Sequence, residues 1–67
     1  MTIGHLIKEL RLEKGLTQLQ LGKAIGVSQK AIDYWEREVY EPKVSYVIAL
    51  IKYFDLSYDD FFKELEI

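Results

Sequence analysis

Apolar residues recur along this chain at steps of three and four. Ile3, Leu6, Ile7 and Leu10 share one face of a helix over about residues 3–14. Leu21, Ala24 and Ile25 form a second stripe over 17–25, and Ala31, Ile32 and Trp35 a third over 28–37. Val44, Val47, Leu50, Ile51 and Phe54 predict a fourth helix from about 44 to 54, and Phe61, Phe62 and Leu65 a fifth that opens at Ser57. No segment alternates with the period of two that marks a strand. The pattern predicts an all-α fold, five short helices around one core, in a single domain over residues 1–67.

The polar positions punctuate the same scheme. Gly15 follows the first stripe, where a left-handed helix end costs least. Thr17 and Gln20 stand three apart and form a capping box for the second helix. Ser28 caps the third, and Asp59 and Asp60 in the first turn of the fifth suit its positive end. Pro42 ends a loop over residues 39–42, because it has no backbone N–H to give. Either Lys43 or Ser45 starts the fourth helix. Only Gly26, Val27 and Ser28 separate the second and third helices, so that pair must cross steeply.

Composition then removes whole classes of function. Hydrophobic residues make up 49% of the 67 positions and charged residues 30%, a globular profile that is too apolar for a disordered tail. So short a chain encloses no large active site. Cysteine is absent, which excludes disulfides and thiolate chemistry and fits a reducing compartment. His5 is the single histidine, so no His/Cys set exists to hold zinc. Asp59, Asp60 and Glu64 read as solvated charges at a helix start rather than a metal patch. The four glycines are isolated, so there is no phosphate loop. The reading is therefore a protein without catalytic residues, metal, cofactor or small-molecule substrate. No apolar run is long enough to span a membrane. The first residues meet Lys8, Glu9 and Arg11 too early for a signal peptide.

The net charge of −2 hides an asymmetry. Residues 1–30 hold five bases against two acids, whereas residues 31–67 hold four bases against nine acids. A polyanion responds to the local field, not to the total.

Residues 16–42, LTQLQLGKAIGVSQKAIDYWEREVYEP, meet the demands of a helix pair that enters a DNA groove. Such a pair needs a small residue where the helices cross, and Gly22 is there. Its turn needs a residue that tolerates positive φ, and Gly26 is there. Leu21, Ile25, Val27 and Ile32 pin the two helices together. Gln29, Lys30, Asp33 and Tyr34 then lie on the outer flank of the second of them, away from Ile32 and Trp35.

At these residues the sequence resembles the phage-repressor and Cro type of helix-turn-helix proteins, the XRE family. The likeness runs from about Ile3 to Phe62. It rests on KGLTQ (14–18), AIGVSQ (24–29), WER (35–37), Pro42 and DLSYDDFF (55–62), in that order and spacing. The resemblance implies a five-helix, lambda-repressor-like domain with residues 28–37 as recognition helix. It implies a cytoplasmic, sequence-specific transcriptional regulator, acting as a repressor on double-stranded DNA. Gln29, Lys30 and Tyr34 match positions that meet base edges, with Asp33 beside them; glutamine pairs with adenine, lysine with guanine, and a carboxylate with a cytosine amine. Gln18 and Thr17 at the start of the second helix, Ser28, Arg11 and Lys43 match phosphate-contacting positions. Arg11 and Glu36 match a pair that ties the first helix to the end of the third. The sequence departs from the family at Glu38, where glycine is usual. That predicts an ending of the third helix that differs from the left-handed turn. Asp33, Glu38 and Glu41 also bring negative charge near the proposed DNA face.

Apolar residues exceed what the core needs. Tyr46, Ile48, Tyr53, Tyr58, Phe62, Leu65 and Ile67 remain for the outside, and a joined patch of that size marks an interface. The expectation is a two-fold homodimer through Tyr58, Phe62, Leu65 and Ile67. The competing reading of the acidic second half is a protein-interaction module, or an antitoxin-like regulator, on the same fold.

Overall fold

Four of the five helices start at a hydroxyl. The oxygens of Thr2, Thr17, Ser28 and Ser57 accept from the backbone N–H of His5, Gln20, Ala31 and Asp60 at 3.0–3.2 Å. Each takes up one of the amides that a helix start leaves without a partner. At Thr17 the box is closed in the other direction too, since Thr17 N donates to Gln20 Oε1 at 2.8 Å. The computed structural model describes residues 1–65 and contains α1 (Ile3–Glu13), α2 (Gln18–Ile25), α3 (Gln29–Glu36), α4 (Val44–Tyr53) and α5 (Tyr58–Glu64). There is no strand among the described residues. Lys43 precedes α4 and gives it no side-chain cap, which settles the choice between Lys43 and Ser45.

Three helices end in the same way. After α1, Gly15 N bonds to Leu12 O and Leu16 N to Arg11 O, with Gly15 at φ 69°. After α3, Glu38 N bonds to Trp35 O and Val39 N to Tyr34 O, with Glu38 at φ 63°. After α4, Asp55 takes φ 56° in the same pattern. These are left-handed caps of one type, and two of them carry a residue with a Cβ. The departure expected at Glu38 is therefore corrected. The left-handed turn is kept, because its two backbone bonds and the packing of Trp35 outweigh the cost of a side chain there.

The interior has two parts. Ile7, Leu21, Ile32, Trp35, Leu50 and Phe54 form one cluster, joining α1, α2, α3 and α4. Leu6, Val47, Ile51 and Phe61 form the other, joining α1, α4 and α5. Burying each such side chain contributes roughly 1.5–3 kcal/mol. α2 and α3 make the most extensive contact between helices. It is close because Gly22 has no side chain: a Cβ there would sit 2.6 Å from Val27 O. Gly4 fills the same role between α1 and the end of α3, where a Cβ would meet Trp35 O at 2.1 Å.

Some expected core positions lie outside. Val44, the first residue of α4, is 74% exposed, and Ala24 points to solvent. Tyr46 and Tyr53, expected outside, lean on the first cluster, and Leu65 leans on the second. Ile67 lies outside the described residues.

Candidate nucleic-acid interface

α2 and α3 leave one polar flank free. Gln29 and Lys30 in the first turn of α3 are exposed, as are Ser28, Thr17 and Lys43. Beneath them Leu21 and Ile32 are fully buried, while Ile25, Val27 and Ala31 pack partly against the same cluster. Gly26, at φ 83°, makes the joint, and the carbonyl of Gly22 accepts from both Gly26 N and Val27 N at 2.8 Å. The flank is thus fixed on packed apolar supports rather than on a mobile loop.

Tyr34 organises the outer face of α3. Lys30 Nζ lies 5.5 Å from its ring centroid and the Arg37 guanidinium 5.4 Å, within cation–π range. The ring of Tyr40, from the following loop, meets it edge-on at 5.5 Å. The sequence motif left Arg37 unassigned. Its signal was spacing: residues 30, 34 and 37 share one helical face.

A buried ion pair holds this flank to α1. Arg11 Nε donates to Glu36 Oε2 at 2.7 Å and Nη2 to Oε1 at 3.0 Å, while Nη1 donates to Leu16 O at 2.8 Å. The carboxylate side chain is 3% exposed. The hydrogen bond to Glu36 raises the Arg11 pKa, against a smaller opposing effect of burial. The expected tie is present. The Arg11 side chain is nearly buried, and three of its five N–H groups serve Glu36 and Leu16.

Two further residues of the sequence-based site carry internal hydrogen bonds. Gln18 Nε2 donates to Glu36 Oε1 at 3.1 Å and lies 3.4 Å from Asp33 Oδ1. Its amide is therefore oriented from within, while the backbone N–H groups of Gln18 and Leu19 bond to no described residue. Asp33 was expected to face bases. Its carboxylate accepts from Arg37 Nε at 3.0 Å, and Arg37 Nη2 lies 2.9 Å from the same oxygen as an ion pair. The bond from Arg37 holds its pKa below the ordinary carboxylate value; desolvation opposes this and Gln18 adds to it. The one acid on the face of α3 is in this way largely offset.

No group of residues suited to a metal ion occurs among the described residues, and no helix there is long and apolar enough to cross a membrane. Tyr58 and Phe62, one turn apart on α5, are each 51% exposed.

A capped, glycine-jointed pair of helices with a fixed polar flank, inside a five-helix fold, defines a helix-turn-helix domain. The helix-turn-helix family matches residues 7–61, and the chain belongs to it. It is similar to the transcriptional regulator PuuR of Escherichia coli, 32% identical over 63 residues, which cover 94% of this chain and 34% of that protein. Its structure superposes on that of the P22 c2 repressor in complex with a synthetic operator, with TM-score 0.81 and 36% identity over 91% of this chain and 92% of the other. It also matches the biofilm regulator SinR in complex with DNA, with TM-score 0.80 and 26% identity over 91% and 98% of the two chains. The chain spans about a third of the length of the PuuR proteins it matches.

Proposed function

We propose that this chain is a cytoplasmic, sequence-specific DNA-binding regulator that acts by occupying a promoter as a repressor. The observation that carries the reading is the rigid flank of α3, with Gln29 and Lys30 exposed and Tyr34 half-buried beside them, next to the start of α2 with its unspent amides. The major groove admits a helix of this size, and phosphate contacts from Gln18, Thr17, Ser28 and Lys43 would fix its register. The DNA-bound state of two structural neighbours supports the same assignment. Exposed Tyr58 and Phe62 support a homodimer, which would set two recognition helices about 34 Å apart, one turn of DNA. No cofactor enters this reading.

Titration of the chain against mixed-sequence duplex DNA, from low to moderate salt, tests it. The expected result is binding whose logarithm falls linearly with the logarithm of salt. Failure to bind at low salt would defeat the reading and favour a protein-interaction module on the same fold. Equilibrium sedimentation at micromolar concentration tests the dimer, and a species of 7.9 kDa alone would remove it.

A further inference from the structure

Asp33 occupies two donors that the proposed DNA face would offer to a phosphate. Arg37 reaches its Oδ2 with Nε at 3.0 Å and with Nη2 at 2.9 Å. Gln18 reaches its Oδ1 with Nε2 at 3.4 Å. An amide nitrogen has two hydrogens. The first of Gln18 goes to the buried Glu36 at 3.1 Å and fixes the amide plane, so the one aimed at Asp33 is the one left for an outside acceptor.

A carboxylate oxygen and a phosphate oxygen ask the same thing of an N–H donor: an anionic acceptor at short range. We propose that Asp33 is a built-in competitor for DNA phosphate, holding Arg37 and Gln18 in an internal network and so setting the affinity and salt dependence of the interface. This rests on the DNA-binding reading above. The network is made to exchange. Arg37 and Asp33 have side chains 60% and 35% exposed, so water screens the pair and it opens easily. The Gln18 bond is long, and the Arg37 guanidinium rests 5.4 Å from the Tyr34 ring centroid. When Arg37 turns to a phosphate, the Asp33 charge stays behind and opposes the DNA. One cation in each protomer is therefore neutralised before the encounter, and its share of counterion release is lost.

The test uses the full chain and a fluorescent mixed-sequence duplex, with anisotropy read from low to moderate salt. The variants are Asp33→Asn, Arg37→Gln, the double variant, and Glu41→Gln as a control for the same change of charge elsewhere on this side. Circular dichroism melts show that each is folded. Asp33→Asn is expected to bind more tightly than wild type and than Glu41→Gln, with a log–log slope steeper by about 0.9 per bound protomer. The gain should vanish in the Arg37→Gln background. A gain equal to that of Glu41→Gln, a gain that survives loss of Arg37, or no gain at all overturns the proposal while wild-type binding stands. If neither wild type nor Asp33→Asn binds at low salt, the DNA-binding reading falls and takes the proposal with it.

Discussion

Arg11 and Glu36 face each other fork to fork, Nε to Oε2 at 2.7 Å and Nη2 to Oε1 at 3.0 Å, across 25 positions of sequence. The pair bolts α1 to the end of the recognition helix and orients Gln18 through the same carboxylate. Its value lies in the arrangement of three elements. An ion pair this buried adds little net stability, but breaking it from one side strands a charge. Arg11→Ala should lower stability by about 3–5 kcal/mol. Arg11→Met combined with Glu36→Leu should recover much of that loss, since no charge is left without a partner. Urea denaturation of the single and double variants checks both, and additive losses would contradict the coupling.

Gly4→Ala sets helix propensity against sterics. Alanine is favoured over glycine within a helix by about 1 kcal/mol. Here its Cβ would lie 2.1 Å from Trp35 O, a backbone atom fixed by the end of α3. Overpacking of this kind costs about 1–3 kcal/mol, so the sterics should win. The melting temperature should fall by roughly 4–8 °C for each kcal/mol lost. A rise would show that α1 can move off α3 freely.

Glu38→Gly should stabilise the protein. Glu38 sits at φ 63°, where a side chain costs about 1 kcal/mol. Gly26→Ala, at φ 83°, should destabilise by a similar amount. Thermal melts of the two variants should move in opposite directions from wild type.

The local caps were legible in the sequence because they involve residues three or four apart. Thr17 with Gln20, Ser28, Ser57, Gly15 and Gly26 all do in the structure what their spacing predicts. The helix-turn-helix joint was legible for the same reason. Contacts between distant segments were not. Nothing near Gly4 announces that the Trp35 carbonyl will press on it, and nothing near Gln18 announces Glu36. Periodicity also overreached at Val44, which begins its helix before the chain has turned inward. The left-handed Glu38 was hidden because its energy comes from Trp35 and Tyr34 carbonyls, not from its own side chain.

Acid should loosen the network around Asp33. The Asp33 pKa is depressed in the folded state, first by the Arg37 hydrogen bond. The unfolded chain then binds more protons at low pH, so stability rises with pH across the range below the ordinary value of 3.8 and flattens above it. The contribution is present at neutral pH and lost as pH falls through the depressed value. Asp33→Asn should remove this part of the acid limb, as read from denaturation midpoints between about pH 2 and 5.

Lys30→Ala and Gln18→Ala should separate reading from holding. A lost base contact relaxes discrimination at one position by about 1–3 kcal/mol, whereas a lost phosphate contact weakens all sites alike. On a site selected from a random oligonucleotide pool, Lys30→Ala should therefore lose more than it loses on mixed DNA. Gln18→Ala should lose similar factors on both. Equal losses for Lys30→Ala would contradict the proposed base-reading role.

The division of the interior into two clusters has an evolutionary consequence. The groove-facing helix is anchored on Ile32 and Trp35, whereas α5 is anchored on Phe61 within a separate group. Substitutions at exposed Tyr58 and Phe62 touch neither Ile32 nor Trp35, so the surface of α5 can diverge while the support of α3 stays constant.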